Sequence, residues 1–549
     1  MTELQPDYSR WTLVHQVREQ AAKYGERVFM TFGDGSPALT YGAFDTRSDQ
    51  AAAALAARGV TEGDRVMMLV KNRPEFMVAM IGIMKCGAIC VPINTELRGA
   101  FLQHQLRNSD PKAVICEESL LSSFNGVDPG DAQPSYLIVT GGKAPGAPLV
   151  ALPSAKVELW EAFEASGHRV TVPEFEPTKD TIAAIMYTSG TTGPAKGVMM
   201  PQGHLYLVPV IYNPQCGLTE DDVYYVSMPA FHLNGLAIQI TAAHYAGARV
   251  HIVERFSPNR WLDEVIECGA TITNLLGVMP EFVFNTEPSP RDRDHKLRLV
   301  MAVPISKEWG SAFEERFGVR FMQGFGMTEC GMPLWGHWQD PEPLIPGCAG
   351  YEISDYYELR IGNPETDDEL PVGEIGELLI RPNVPGCFSA GYYKMPDKTV
   401  EAWRNLWFHT GDACRKDDKG RYHYVDRIKD CIRRRGENIS AFEVEQVLNM
   451  HPQIAESAVV GVKVEGAGGE EEVMAVIVSE PGAAQVDEVA LLDYCAERMP
   501  RFAVPRFVQF IGELDKTASG KLRKGDLRDA GVTAETWDRE SVGYVLKRG

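Results

Sequence analysis

One serine, three threonines, three glycines and a lysine crowd into Tyr187 to Val198, YTSGTTGPAKGV. The hydroxyls of Thr188, Ser189, Thr191 and Thr192 can donate to phosphate oxygens, and Lys196 adds a positive charge. The glycines, Gly190 and Gly193 among them, let a backbone lie close to an anion. The chemistry such a set can do is phosphate gripping. It is not a Walker loop, which needs Lys directly after the last Gly and then Ser or Thr; here Pro194 and Ala195 intervene. A loop of this composition can also be a plain turn, but the lysine and the apolar run just before it argue against that.

That run, Ile182 to Met186, reads as a buried strand, so the loop springs from the end of a sheet. The surrounding chain alternates helical and strand signals. Arg47 to Ala57 and Phe76 to Lys85 read as helices. Arg65 to Val70, Cys90 to Ile93, Gly247 to Val253 and Thr271 to Leu276 read as strands. Alternation of this kind indicates parallel α/β layers. From Glu358 to Pro382 the texture changes to strands joined by Asp/Gly/Pro turns, a small β-element. Beyond Asp426 a compact α+β unit begins: Phe442 to Met450 and Leu491 to Arg498 read as helices, Glu456 to Val462 and Val473 to Val478 as strands.

A chain of 549 residues is too long for one core. Its 44 % hydrophobic and 23 % charged content is that of a globular protein. The net charge of −21 argues against nucleic acid or an anionic membrane as partner, and an anionic substrate must then be drawn in by local positive charge. Eleven cysteines show no paired metal spacing. With no basic-then-apolar N-terminal signal and no apolar run of transmembrane length, a cytoplasmic protein is expected, its thiols reduced.

Further motifs follow the loop: MPAFHLNG from Met228, QGFGMTE from Gln323, HTGD from His409, YVDRIK from Tyr424, RGENISAFEVE from Arg435 and DKTASGKLRK from Asp515. Together and in this order they resemble the adenylate-forming superfamily of acyl-CoA synthetases, peptide-synthetase adenylation domains and luciferases, over nearly the whole chain. The resemblance implies an α/β fold: a large N-terminal domain of two α/β subdomains plus a β-barrel, and a small mobile α+β C-terminal lid. The expected division is 1–428 and 429–549, with the hinge at Lys429.

The resemblance also implies a reaction in two halves. A carboxylate attacks the α-phosphate of ATP and pyrophosphate leaves; a thiol then attacks the acyl carbon and AMP leaves. No enzyme nucleophile is required, so catalysis rests on holding two anions together and stabilising charge at phosphorus. On this reading Lys521 bridges the carboxylate and the α-phosphate, Thr328 contacts phosphate, and Glu329 is the Mg²⁺ ligand. Phe325 stacks on adenine within Gly324, Phe325, Gly326 and Met327. Ala302, Val303 and Pro304 match the adenine strand loosely. Asp412 accepts from the ribose hydroxyls, with Arg427 as a second contact, and His232 lines the acyl site. Arg433, Arg434 and Arg435 would meet CoA phosphates, with Gly436 on the pantetheine path.

No carrier-protein domain is evident after the lid, so a free-standing ligase using ATP, Mg²⁺ and coenzyme A is expected, as monomer or homodimer. An enzyme loading a separate carrier protein is the alternative. Within the superfamily the chain looks most like the bacterial carnitine/crotonobetaine–CoA ligase group. A trimethylammonium acid would call for an acidic or aromatic cage, for which Trp335, Trp338 and Phe284 are candidates. Leu233, Leu236, Met279 and Met332 suit a medium-chain or alicyclic acid equally well.

Overall fold

The computed structural model describes residues 8–143, 151–171, 174–188, 194–277, 279–303, 305, 309–340, 347–427, 432–434, 437–439, 441–464, 471–482, 486–514 and 524–546. Two seven-stranded sheets carry the α/β part. In the first, the strand Arg65–Leu69 lies between Ile89–Pro92 and Ala113–Glu117, all parallel. Ile182–Thr188 joins beside Ile89–Pro92, and Lys196–Pro201 closes the edge antiparallel to it, with Thr188 opposite Lys196. In the second, Val223–Val226, Arg249–Ile252, Ile272–Leu276 and Leu299–Val303 are parallel neighbours or next neighbours, and Leu39–Thr40 adds an antiparallel edge. These strands read as near-continuous apolar runs because helices cover both faces of a parallel sheet.

One such helix, Tyr41–Ala56, is capped by the Thr40 hydroxyl, which accepts from the Ala43 N–H at 3.1 Å. Its buried alanines face the helix Pro74–Lys85. Lys85, wholly buried, lies 2.5 Å from Asp45 and 2.6 Å from Asp49, so its charge is paired on the helix it packs against.

The β-element is an eight-stranded antiparallel sheet that begins at Gly324–Met327 and includes Trp407–Lys416 and Arg421–Arg427. The last unit has a four-stranded sheet of Ile454–Lys463, Glu471–Ser479, Phe507–Phe510 and Trp537–Asp538, with the helices Ala441–Asn449 and Glu488–Ala496. Its core, built on Val444, Leu448, Val459 and Leu491, continues into the apolar side of the first sheet. No helix among the described residues is long and apolar enough to cross a membrane.

Candidate active site

A cleft of about 950 Å³ opens where the sheets meet the C-terminal unit. The hairpin Ile182–Thr188 / Lys196–Pro201 forms one wall. Thr188 ends the outgoing strand and Lys196 starts the returning one, so the phosphate loop spans the hairpin tip. Ser189, Gly190, Thr191, Thr192 and Gly193 themselves lie outside the described residues, as do Pro304, Lys429, Arg435, Gly436 and Lys521.

Glu329 is buried at the head of this cleft and accepts from the Tyr392 hydroxyl at 3.0 Å and the Thr188 hydroxyl at 3.5 Å. Both contacts fall on Oε1, which leaves Oε2 for a ligand. Burial and the Glu329 charge push the Tyr392 phenol far above its ordinary value, so it remains an O–H donor. The Lys196 ammonium sits 4.4 Å from the centre of the Tyr392 ring. Tyr392 arrives on a segment that runs along Lys196–Pro201: Ala390 N–H donates to the Met199 carbonyl and Tyr393 N–H to that of Gly197. Ser389 N–H donates to the Glu329 carbonyl, which ties the two segments together.

Thr328 lines the cleft, and its carbonyl accepts from His204 Nε2 at 3.0 Å. Burial pushes His204 down to about 4, so the ring is neutral and serves as a fixed donor. Gly324, Gly326 and Met327 also line the cleft. Gly324 is required by packing, since a Cβ there would stand 2.0 Å from the Trp335 ring. Phe325 is not among the lining residues. Strand alternation sends its side chain to the opposite face from the two glycines, where it packs against the main core. Stacking on adenine gains no support from that position.

Val303 lines the cleft, whereas Ala302 is buried in the apolar cluster with Leu275 and Phe313. Asp412 is buried on Trp407–Lys416, directly opposite Arg427 in the antiparallel register; its neighbours Thr410 and Gly411 line the cleft. The register therefore sets positions 412 and 427 side by side.

The motif MPAFHLNG crosses the cleft floor as a loop clamped from the first sheet. Asn72 donates to the carbonyls of Met228 and Val253 and accepts from the Ala230 N–H. Gly235 lies so close to the Pro229 carbonyl that a Cβ would approach it to 2.4 Å. His232 lines the cleft with its Nε2 3.5 Å from Glu437.

From the C-terminal unit come Glu437, Ile439, Glu443 and Phe502. The Glu443 carboxylate accepts from the Ala195 N–H at 2.6 Å, and burial pushes its carboxyl up to about 7. The basic run needs correction at one residue. Arg434 is 2 % exposed, lies 2.6 Å from Glu472 and donates to the Phe502 carbonyl at 2.7 Å. It holds the unit together and is not placed to meet a CoA phosphate. Trp338 packs over Gly217 and beside Arg298, and Phe284 stacks on Trp309; neither lines the cleft, while Trp335 does.

Tyr392, Glu443, His204 and Asn72 escaped the sequence reading. Glu443 sits inside a motif that was recognised, but nothing in its spacing announces a partner 248 residues away. Tyr392 follows no pattern at all.

This arrangement is that of a nucleotide-dependent acyl-activating fold, and comparison bears it out. Residues 17–393 match the family described as AMP-binding enzyme, and residues 443–521 match the AMP-binding enzyme C-terminal domain. The crotonobetaine/carnitine–CoA ligase of Salmonella paratyphi A is 30 % identical over 515 residues, 92 % of this chain and 97 % of that protein. Among solved structures, the o-succinylbenzoate CoA synthetase double mutant from Bacillus subtilis superposes with a TM-score of 0.78 at 24 % identity, covering 96 % of this chain and 99 % of the other. ATP-bound MatB from Rhodopseudomonas palustris gives a TM-score of 0.64 at 25 % identity, covering 94 % and 98 %. The chain belongs to the AMP-binding enzyme family and is an acid–thiol ligase of the AMP-forming type.

Proposed function

We propose that this chain converts a carboxylic acid to its acyl-adenylate with ATP, releasing pyrophosphate, and then passes the acyl group to coenzyme A, releasing AMP. The observation that carries the reading is the meeting of Thr188, Lys196 and Glu329 in one cleft, from motifs far apart in the chain. A triphosphate laid on the hairpin tip would meet the Thr188 hydroxyl and the Lys196 charge, with Ser189, Gly190, Thr191, Thr192 and Gly193 assigned as further phosphate contacts. Glu329, buried and already accepting two hydroxyls, fits one carboxylate ligand of a Mg²⁺ that keeps water and phosphate oxygens as its other ligands. When bound, that ion would offset the charge of the leaving pyrophosphate.

In the first half-reaction a carboxylate oxygen bonds to the α-phosphorus as the bond to pyrophosphate breaks. Lys521 is assigned the bridging charge between the two anions, and Thr328 a hydroxyl contact to phosphate. Val303, Gly324, Gly326 and Met327 wall the nucleotide, and Asp412 with Arg427 holds the ribose. His232 faces the acid. In the second half-reaction the CoA thiol, as thiolate, attacks the acyl carbon and AMP carries away the bonding pair. Arg435 and Gly436 are assigned to the CoA path, and residues 429–549 to a lid turning at Lys429.

Pyrophosphate release should be measured across carnitine, crotonobetaine, medium-chain, aromatic and alicyclic acids, with and without CoA. Release confined to one acid class, with its CoA thioester as product, is expected. Release without a CoA thioester would transfer the acceptor role to a carrier protein. No release with any acid would overturn the reading.

A further inference from the structure

Behind the loop that carries His232, four polar side chains form a buried line that ends in the cleft. Tyr212 and Tyr224, both fully buried, bring their hydroxyls to 2.5 Å. The Tyr224 hydroxyl donates to Asn274 Oδ1 at 2.5 Å, and Asn274 Nδ2 donates to Asn234 Oδ1 at 2.9 Å. Asn274 and Tyr224 are fully enclosed, whereas Asn234 is partly buried and lines the cleft.

The direction of donation along this line decides what Asn234 shows to a substrate. With Tyr212 donating to Tyr224, both hydroxyls and one Asn274 amide hydrogen find an oxygen within the line. Reversal would leave the Tyr212 hydroxyl to donate to something other than Tyr224, away from the line's oxygens. Burial pushes both phenols far up, so both remain donors. The Asn234 oxygen is thus occupied from behind, and its amide N–H groups are left for the cleft. Asn234 is also fixed in place. It opens the π-helical turn Asn234–Thr241, a geometry that recurs at functional sites, and the next residue, Gly235, is pressed against the Pro229 carbonyl. Leu233, Ile238, Met301, Met332 and Trp335 give the cleft an apolar lining, to which His232 of the same loop adds a polar side chain. One oriented donor in an apolar surround discriminates for an acceptor.

We infer that Asn234 is a specificity-determining residue of the acyl site, and that the acid this enzyme prefers carries a hydroxyl or keto oxygen along its acyl part. The inference rests on the ligase reading above. An acid lacking the oxygen leaves the amide without a partner in an apolar pocket, which costs about 10- to 100-fold in kcat/KM.

The test uses straight-chain acids of one length bearing a hydroxyl or keto oxygen at successive positions, with the unsubstituted acid as control. Pyrophosphate release and thioester formation are both followed. The expected result is one position exceeding the unsubstituted acid by at least tenfold in kcat/KM. Asn234→Leu should erase that preference, bringing the substituted and unsubstituted acids to within about threefold of each other in kcat/KM. Tyr224→Phe, which cuts the line without touching the cleft, should weaken the preference part-way, and it serves if Asn234→Leu does not fold. A series with no preferred position, or a preference that survives Asn234→Leu in folded protein, would overturn the assignment to Asn234. Failure of every acid to release pyrophosphate would instead strike the ligase reading.

Discussion

The two walls of the cleft each present a carboxylate, buried at Glu329 and half-buried at Glu443, and they hold it by opposite means. Glu329 is gripped by hydroxyl donors from Tyr392 and Thr188, while backbone bonds from Ser389 and the His204 ring lock the adjoining chain. Glu443, on the C-terminal side, accepts from the Ala195 N–H, and burial outweighs that bond, pushing its carboxyl up to about 7. The first wall is held by neutral hydroxyl donors; the second rests on a carboxyl whose proton affinity burial raises.

The sharpest way to break this contrast is to unmake the first wall. Glu329→Gln should lower the rate of pyrophosphate release by about 10²-fold, the range seen when one stabilising group is removed, and raise the Mg²⁺ concentration needed for half-maximal rate. A loss under threefold with an unchanged Mg²⁺ titration would remove Glu329 from the site.

A smaller change tests the donors alone. Tyr392→Phe removes the 3.0 Å bond to Glu329 and should cost about 10-fold in rate and 1–2 kcal/mol in stability, read by steady-state kinetics and thermal unfolding. If neither moves, the carboxylate is not held as described.

The smallest effect belongs to the second wall. An undocked Glu443 would titrate near the ordinary 4.5 and the docked one near 7, so docking binds protons. Its contribution is full below about pH 4.5 and is lost as pH rises through 7. Hydrogen exchange at the hairpin amides near Ala195 should therefore quicken between pH 6 and 8 beyond the intrinsic rate, by about two- to fivefold. Glu443→Gln, neutral throughout, should abolish that excess; an excess that persists in the variant would place the proton elsewhere.

Much of the fold was legible because its signals are local. The run Ile182 to Met186 is a strand, Ile182–Thr188, and Phe76 to Lys85 is a helix, Pro74–Lys85, since apolar periodicity reports burial within one element. The return strand Lys196–Pro201 was not legible, because KGVMMP has neither alternation nor a turn signal of its own. Arg434 shows the limit from the other side. Three consecutive arginines read as a solvated or ligand-binding face, yet the strand Ile432–Arg434 turns the middle one inward onto Glu472. Phe325 is a different case: its motif named it, and it packs against the main core rather than among the residues lining the cleft.

By itself, the sequence determined the family and the residue types of the motifs, because each is encoded in a short stretch with its own chemistry. Tertiary structure alone decided that Tyr392 donates to Glu329, that Glu443 reaches Ala195, and that Asn274 turns the Asn234 amide toward the cleft. Those pairings join residues 63, 248 and 40 positions apart. They depend on strand register and on the packing of separate units, which no local pattern of side chains can carry.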